Sequence, residues 1–395
     1  MKKQKKKTLR KSRRGHFRVA ILVETINSYS KTLMRGITQY IKEHGPWDIS
    51  YEERGPSSPP PFWLEAWRGD GIIVRDMGDA VHHAQGRGIP LVDISDNSAP
   101  SVASVHSNYA ETSRMAAEHL KERFLPHFAF VGLRGRKFSE LRKSSFVKYV
   151  KGECHVFEFS QQELSQCWTE KKKPFPQWLL NLPKPCGLMA CDDLVGLHVL
   201  QSCRTVGLRV PDDLSVVGVD DDEIHCMLAS PGLTTVSQNA FQVGYQAALM
   251  LHTMMRGEKM PERHLQVSPI SVVCRESTDT WAIENALVIK ALRIIQREAC
   301  HGLNVKALAR ELNVVRRTLE RQFQLVLKRT LKDEILQTQL HRAKELLSGT
   351  DLTLETISKR AGFCSASYMN TVFIRQLKMT AGEYRKKQQN LWYDK

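Results

Sequence analysis

Short, nearly continuous apolar runs punctuate the first two-thirds of the chain: FRVAILV (17–23), GIIV (71–74), PLVDI (90–94), FAFVGL (128–133), GLMAC (187–191) and LSVVGV (214–219). Runs that are apolar at every position, rather than at alternate ones, are typical of parallel strands whose two faces are both covered by helices. WDISYEE (47–53) reads as a further strand. Between the runs the spacing turns helical. SKTLMRGITQYIKEHG (30–45) places Leu33, Ile37 and Ile41 on one face, and ETSRMAAEHLKERF and DDLVGLHVLQSCRTVG behave likewise. Such βα alternation over residues 17–276 exceeds one ordinary doubly wound domain, so two α/β lobes with parallel sheets are predicted. PSSPPP (56–61) reads as a surface loop and GLRG (132–135) as a turn; there is no GxGxxG, P-loop or solenoid repeat.

Beyond residue 285 only the helical period remains. In NVKALARELNVVRRTLERQFQLVL (304–327), Leu308 and Leu312 mark a short helix and NVV a turn. Leu319, Phe323, Val326 and Leu327 then form the apolar stripe of a second helix, whose other face carries Arg316, Arg317, Glu320, Arg321 and Gln324. A charged outer face is ordinary for any amphipathic helix. Here the arrangement recurs after a linking helix, in LTLETISKRAGFCSASYMNTVFIRQL (352–377). Leu354, Ile357 and Ala361 form its first stripe and Gly362 its C-cap. Met369, Phe373 and Leu377 form the second stripe, leaving Ser367, Asn370, Thr371 and Arg375 outward. Two helix pairs on one connecting helix can set two recognition helices in successive major-groove segments, about 34 Å apart. Arginine can bond guanine O6 and N7 together, and glutamate can accept from cytosine N4. The expected organisation is a basic disordered tail (1–16), a two-lobed α/β body (17–276), a linker (277–284) and an all-α DNA-binding domain (285–389).

Charge supports that division. The chain has 58 Lys and Arg against 42 Asp and Glu, a net +16. Residues 1–16 hold nine basic side chains and no acid, and residues 277–395 hold 21 basic and 12 acidic ones. The span between them is close to neutral, with 28 basic and 30 acidic side chains. A single-sign excess confined to the ends points to a polyanion, nucleic acid before membrane. Nine cysteines stand singly without a Cys-x-x-Cys pair, which speaks against a disulfide framework or thiolate metal site and for the cytoplasm. No apolar stretch approaches the roughly 18 residues of a membrane span. The run in SRRGHFRVAILVE is too short for an export signal and is interrupted by Glu24.

LSVVGVDDDEIH (214–225) gathers four acids at the end of one apolar strand of a basic protein. Ligands of open α/β sheets bind beyond the carboxyl ends of the strands. Asp220 follows SVVGV and Asp192 follows GLMAC, so both carboxylates face a cleft mouth, where they can accept paired bonds from vicinal hydroxyls. Each such charge-assisted bond contributes roughly 1.5–3 kcal/mol. Asp221, Asp222 and Glu223 read as a solvated acidic loop. A sugar-active enzyme or an exported solute-binding protein with an accessory helical domain would share this body. Against the first stand the lack of a nucleophile–base pair, metal-spaced cluster or phosphate loop; VHHAQG (81–86) reads as two histidines on a helix surface. Against the second stands the helical reader. No cofactor, catalytic residue or metal is expected.

VGLRVPDDLSVVGVDDDE, followed by SPGLTTVSQNAFQVGYQAA, resembles the sugar-sensing domain of the lac repressor family. SNYAETSRMAAEHL and HFAFVGLRGRKFSELRKSSFVKYV resemble two further segments of it. The resemblance spans residues 17 to about 276 and implies that Arg142, Asp192, Asp220 and Asn108 contact the effector. Ser107 stands where that family has Asp, and Cys191 where many members have Asn or Thr. The sixteen residues before the first strand are too few for that family's N-terminal headpiece. GFCSASYMNTVFIRQLKMTAGEYR is similar instead to the AraC-type signature GFxxxSYFxxxFKxxxGxxPxEYR. Met369 there replaces an aromatic and Ala381 a proline, changes of packing rather than function. The combined order, with WDISYEE, WRGDGII and STDTWAI, resembles the xylose-operon regulator subgroup. It implies a sugar-responsive transcription factor, expected to be an activator. Its implied partners are operator DNA, a small sugar such as D-xylose, a second copy of the chain and RNA polymerase.

Overall fold

The computed structural model describes residues 16–389 apart from 54, 56–58, 76–77, 96–100, 161–162, 164–173, 261 and 351. The expected basic tail therefore lies outside the described residues except for His16, as do the first three residues of the 56–61 loop. The described strands, numbered along the chain, form two six-stranded sheets. The first contains β1 (Phe17–Leu22), β2 (Trp47–Tyr51), β3 (Gly71–Val74), β4 (Leu91–Asp93), β5 (Ala103–Ser107) and β11 (His264–Val267). Its order is β2-β1-β3-β4-β5-β11, every pair parallel. The second contains β6 (His127–Leu133), β7 (Cys154–Phe159), β8 (Cys186–Ala190), β9 (Leu214–Val219), β10 (Thr234–Ser237) and β12 (Ser271–Val273). Its order, β7-β6-β8-β9-β10-β12, repeats the first, and β12 alone is antiparallel. The chain is thus two lobes of one α/β design.

The continuous apolar runs have a direct cause. On β1, Val19 and Ile21 enter one core while Ala20 and Leu22 enter another on the opposite face. On the first face, α1 (Ser28–His44) lies against α8 (Ala240–Met255). The two helices touch through glycine, since a Cβ on Gly36 would meet Phe241 O at 2.0 Å and one on Gly244 would meet Leu33 O at 2.0 Å. Between them in sequence come α2 (Gly78–Arg87), α3 (Tyr109–Lys121), α4 (Lys137–Val150), α5 (Pro174–Asn181), α6 (Asp193–Val206) and α7 (Glu223–Leu228). Apolar continuity did not predict β5, β7 or β10–β12. β5 (ASVHS) and β10 (TTVS) are buried yet polar, and their hydroxyls are bonded: Ser107 to Tyr29, and Thr235 to Asp193. β7 is an edge strand, half-buried along most of its length.

The chain passes between the lobes three times, at Asn108, at Gln238–Asn239 and at residues 268–270. The Asn108 N–H donates to Val267 O at 2.8 Å, Ile270 N–H to Ser237 O at 2.8 Å, and Gln238 Nε2 to Thr112 Oγ1 at 3.1 Å. These bonds join the three crossings into one hinge.

The C-terminal helices are α9 (Ala286–Glu298), α10 (Val305–Glu311), α11 (Arg316–Leu327), α12 (Leu331–Gly349), α13 (Leu354–Arg360), α14 (Ala366–Leu377) and α15 (Ala381–Gln389). Leu308, Leu319, Phe323 and Leu327 fill one core and Ile357, Ala361, Met369 and Phe373 a second, while α12 supplies residues to both. The 277–284 segment is not a free spacer. Ser277 and Thr278 are fully buried in the second lobe, where Ser277 Oγ donates to Val216 O at 2.6 Å, and Trp281 joins the first helical core. Among the described residues no helix is long and apolar enough to cross a membrane.

Candidate ligand cleft and nucleic-acid interface

The cleft is built from strand ends. Asp220 is the first residue after β9 and has φ 107°; Asp221 follows at φ 56°. Two consecutive non-glycine residues in this region are strained, and such strain persists where surrounding contacts hold it. Asp220 N–H donates to Val236 O at 3.0 Å, and Asp221 takes Arg275 Nη2 at 2.9 Å. Arg142, on α4, is buried; its Nη2 donates to Asp220 Oδ1 at 3.3 Å and its Nη1 to Cys191 O at 2.5 Å. Its guanidinium lies 5.5 Å from the Tyr109 ring centroid and 5.2 Å from that of Phe138. Burial works against the Arg142 charge, but Asp220 and its other neighbours outweigh this and leave its pKa raised. Among the described residues Arg142 Nε has no partner.

Asp192 caps α6, accepting from Val195 N at 2.8 Å, and burial pushes its carboxyl above the ordinary value. Asn108 caps α3, its side-chain oxygen accepting from Glu111 N at 2.9 Å. The structure therefore brings Arg142 and Asp220 into contact and sets Asp192 and Asn108 at the starts of α6 and α3. Cys191 is fully buried and presents its carbonyl to Arg142.

The solvated acidic loop requires correction. Asp222 is buried: it caps α7 at His225 N, 3.1 Å, and accepts from Ser28 N of the first lobe at 3.2 Å. Its own N–H donates to the buried Asp193, which also takes Thr235 Oγ1 at 2.5 Å. Burial, with Asp220 adding to it, holds the Asp193 carboxyl well above its ordinary value. Of the three acids expected in solvent, Glu223 alone is exposed.

The first lobe contributes groups that the sequence reading passed over. Tyr29 OH lies 3.0 Å from Ser107 Oγ. Arg75 donates to Ser30 Oγ at 2.5 Å, pairs with Glu24 at 3.5 Å and stands over the Tyr29 ring at 5.1 Å. Burial raises the Tyr29 phenol and Arg75 opposes this, with Asp220 and Arg142 of the other lobe acting on it too; the Ser28–Asp222 bond joins the same two faces. Arg75 follows the last residue of β3, and the strand-end argument used for Asp220 applies to it equally. Of the paired histidines, His82 is exposed, whereas His83 Nε2 is buried without a partner among the described residues. Those residues include no group of three or more His, Cys, Asp or Glu that could hold a metal ion.

In the helical domain Arg316, Arg317, Arg321 and Gln324 are exposed on α11, and Arg316 pairs with the half-exposed Glu320 at 2.9 Å. On α14, Ser367, Thr371 and Arg375 are exposed. Asn370 differs, because its Oδ1 accepts from Ala381 N at 2.9 Å. A proline at position 381 would lack that N–H; with alanine there, Asn370 supplies the acceptor. Met369 is fully buried in the core position.

A hinged two-lobed sensor with a polar cleft, joined to paired helix-turn-helix units on a basic domain, defines a ligand-responsive DNA-binding regulator. A periplasmic binding protein-like domain model matches residues 117–278, and a helix-turn-helix domain model matches 308–387. The xylose operon regulatory protein of Haemophilus influenzae is 30% identical over 383 residues, covering 94% of this chain and 98% of that protein. The protein of that name in Escherichia coli K12 is 30% identical over 381 residues, 93% and 96% of the two chains. A solved structure of a xylose-binding transcription activator aligns with TM-score 0.57 and 28% identity over 94% of this chain and 98% of its own. The chain belongs to the family of xylose operon regulatory proteins, and it is a sugar-responsive, DNA-binding transcription regulator.

Proposed function

We propose that the effector is D-xylose or a closely related neutral pentose, and that the protein acts in the cytoplasm as a homodimeric activator contacting RNA polymerase. Asp220, Asp192, Arg142 and Asn108 bind the sugar hydroxyls. The observation that carries this reading is the Arg142–Asp220 pair at the cleft, held on a strained strand end. Such a pair offers a fixed donor and a fixed acceptor to adjacent hydroxyls. The names of the full-length relatives support xylose as the sugar and activation as the sign of control. The lobes close by way of Ser28 and Asp222, and closure changes how two subunits present Arg317, Glu320 and Arg321 to the operator.

Thermal melting of the full chain against pentoses and hexoses tests this. A sugar at 100 times its Kd adds about 2.7 kcal/mol. D-xylose is expected to produce the shift, and Asp220→Ala to remove it while operator binding without sugar persists. A variant that responds like the parent would overturn the cleft assignment.

A further inference from the structure

The two helix-turn-helix units are one design repeated fifty residues apart. Leu319, Phe323 and Leu327 correspond to Met369, Phe373 and Leu377. Lys328 and Lys378 close the two recognition helices in the left-handed region, at φ 56° and 60°. Thr330 with Asp333, and Thr380 with Glu383, then cap the helices that follow. The outward positions therefore correspond as well: Arg317 to Ser367, Glu320 to Asn370, Arg321 to Thr371 and Gln324 to Ile374.

The first set is polar or charged throughout. In the second, Asn370 is bonded to Ala381 N, and the Thr371 hydroxyl donates to Ser367 O at 3.1 Å within the helix. Ahead of the cations Arg375 and Lys378, α14 still offers the Asn370 amide N–H groups and Tyr368, and beside them an apolar surface of the Thr371 methyl and Ile374, which is 50% exposed. The AraC-type signature has lysine where this chain has Ile374. The position of Gln324 in the first unit is thus taken by an exposed apolar side chain, Ile374, in the second.

We infer that Ile374 is a specificity residue, seating the C5-methyl of a thymine in the major groove, with Arg375 and Lys378 on the flanking phosphates. Apolar side chains read thymine through this methyl, whereas phosphate contacts carry no direct sequence information. The inference rests on the reading that the outward faces of both recognition helices meet DNA.

The test uses the full chain and a duplex selected by it from random DNA. Replacing one thymine at a time by uracil removes a single methyl and alters no hydrogen bond. At one position or more under the second unit, uracil is expected to weaken parent binding about four-fold, the worth of burying one methyl-sized group. Ile374→Ala, an exposed change that leaves the core intact, is expected to lose a similar factor on the thymine duplex and to be indifferent to uracil there. Parent binding that is unaffected by uracil throughout that half, or an Ile374→Ala protein that still feels the replacement, overturns the inference. Arg321→Ala separates the two levels. If it and Arg375→Ala both bind like the parent, the reading of the faces fails; if Arg321→Ala weakens binding and uracil is silent, only the role of Ile374 fails.

Discussion

Asp222 holds the lobes together at the scale of a single carboxylate. Burial pushes its pKa up, but the bonds from Ser28 and His225 outweigh burial and leave the group below its ordinary value. Its contribution is therefore present at neutral pH and is lost as pH falls through the depressed value, so the Ser28–Asp222 bridge should hold down to about pH 4. Asp222→Asn keeps an oxygen for the helix cap but turns an amide toward Ser28 N–H. Sugar affinity by calorimetry should fall about ten-fold, the effect of losing one charge-assisted bond. An unchanged Kd would show that closure does not use the bridge. At this scale strand ends were readable from sequence, and Asp220, Asp192 and, by the same argument, Arg75 stand at them. Tyr29 was not readable, because its place depends on Ser107, 78 residues away.

At the scale of elements, α12 is the coupling rod. The buried Gln339 donates to Ala299 O and to Gly362 O, both at 2.9 Å, and so fastens the two helix-turn-helix units to each other. Gly362, at φ 81°, approaches so closely that an added Cβ would meet Cys300 Cα at 2.6 Å. Gln339→Leu leaves two buried carbonyls without donors, and melting of the full chain should show a loss of about 1–3 kcal/mol in the helical domain. Operator binding should fall more than binding to random DNA, because the operator requires fixed spacing; equal losses would count against the rod.

Two residues on, His341 meets Val272 O of β12 at 3.1 Å and Glu345 at 3.4 Å. Burial disfavours its charge, but Glu345 and the Val272 carbonyl leave its pKa raised, with Lys344 opposing. A raised value means that this docking contribution is full below about pH 6.5 and is lost as pH rises through the folded-state value. Hydrogen exchange over residues 279–285 should quicken above that point in the parent, and His341→Ala should be fast at every pH. A parent profile no steeper than that of the variant would remove His341 from the junction.

Over the whole molecule, charge and ligand chemistry are kept apart. The near-neutral lobes hold 30 of the 42 acids, and the helical domain and the N-terminal segment carry the basic excess. DNA affinity should fall steeply with salt, log K against log[salt] sloping by about −0.9 for each phosphate contacted. Deleting residues 1–16 should weaken binding equally on operator and random DNA and flatten that slope. A loss confined to the operator would mean that the segment reads sequence.

The sequence by itself determined the two α/β lobes, the paired helix-turn-helix units and the strand-end acids, because each rests on a period or on residues adjacent in the chain. Buried polar strands such as ASVHS escaped it, since their hydroxyls are satisfied by partners that only the fold brings near. The tertiary structure alone decided that Asp222 bridges the lobes, that Ser277 and Thr278 are buried where a linker was expected, and that Asn370 turns to Ala381. The physical reason is common to all three. A polar side chain carries no local mark of whether its partner will be water, backbone or a distant lobe, and burial makes that choice only when the elements pack.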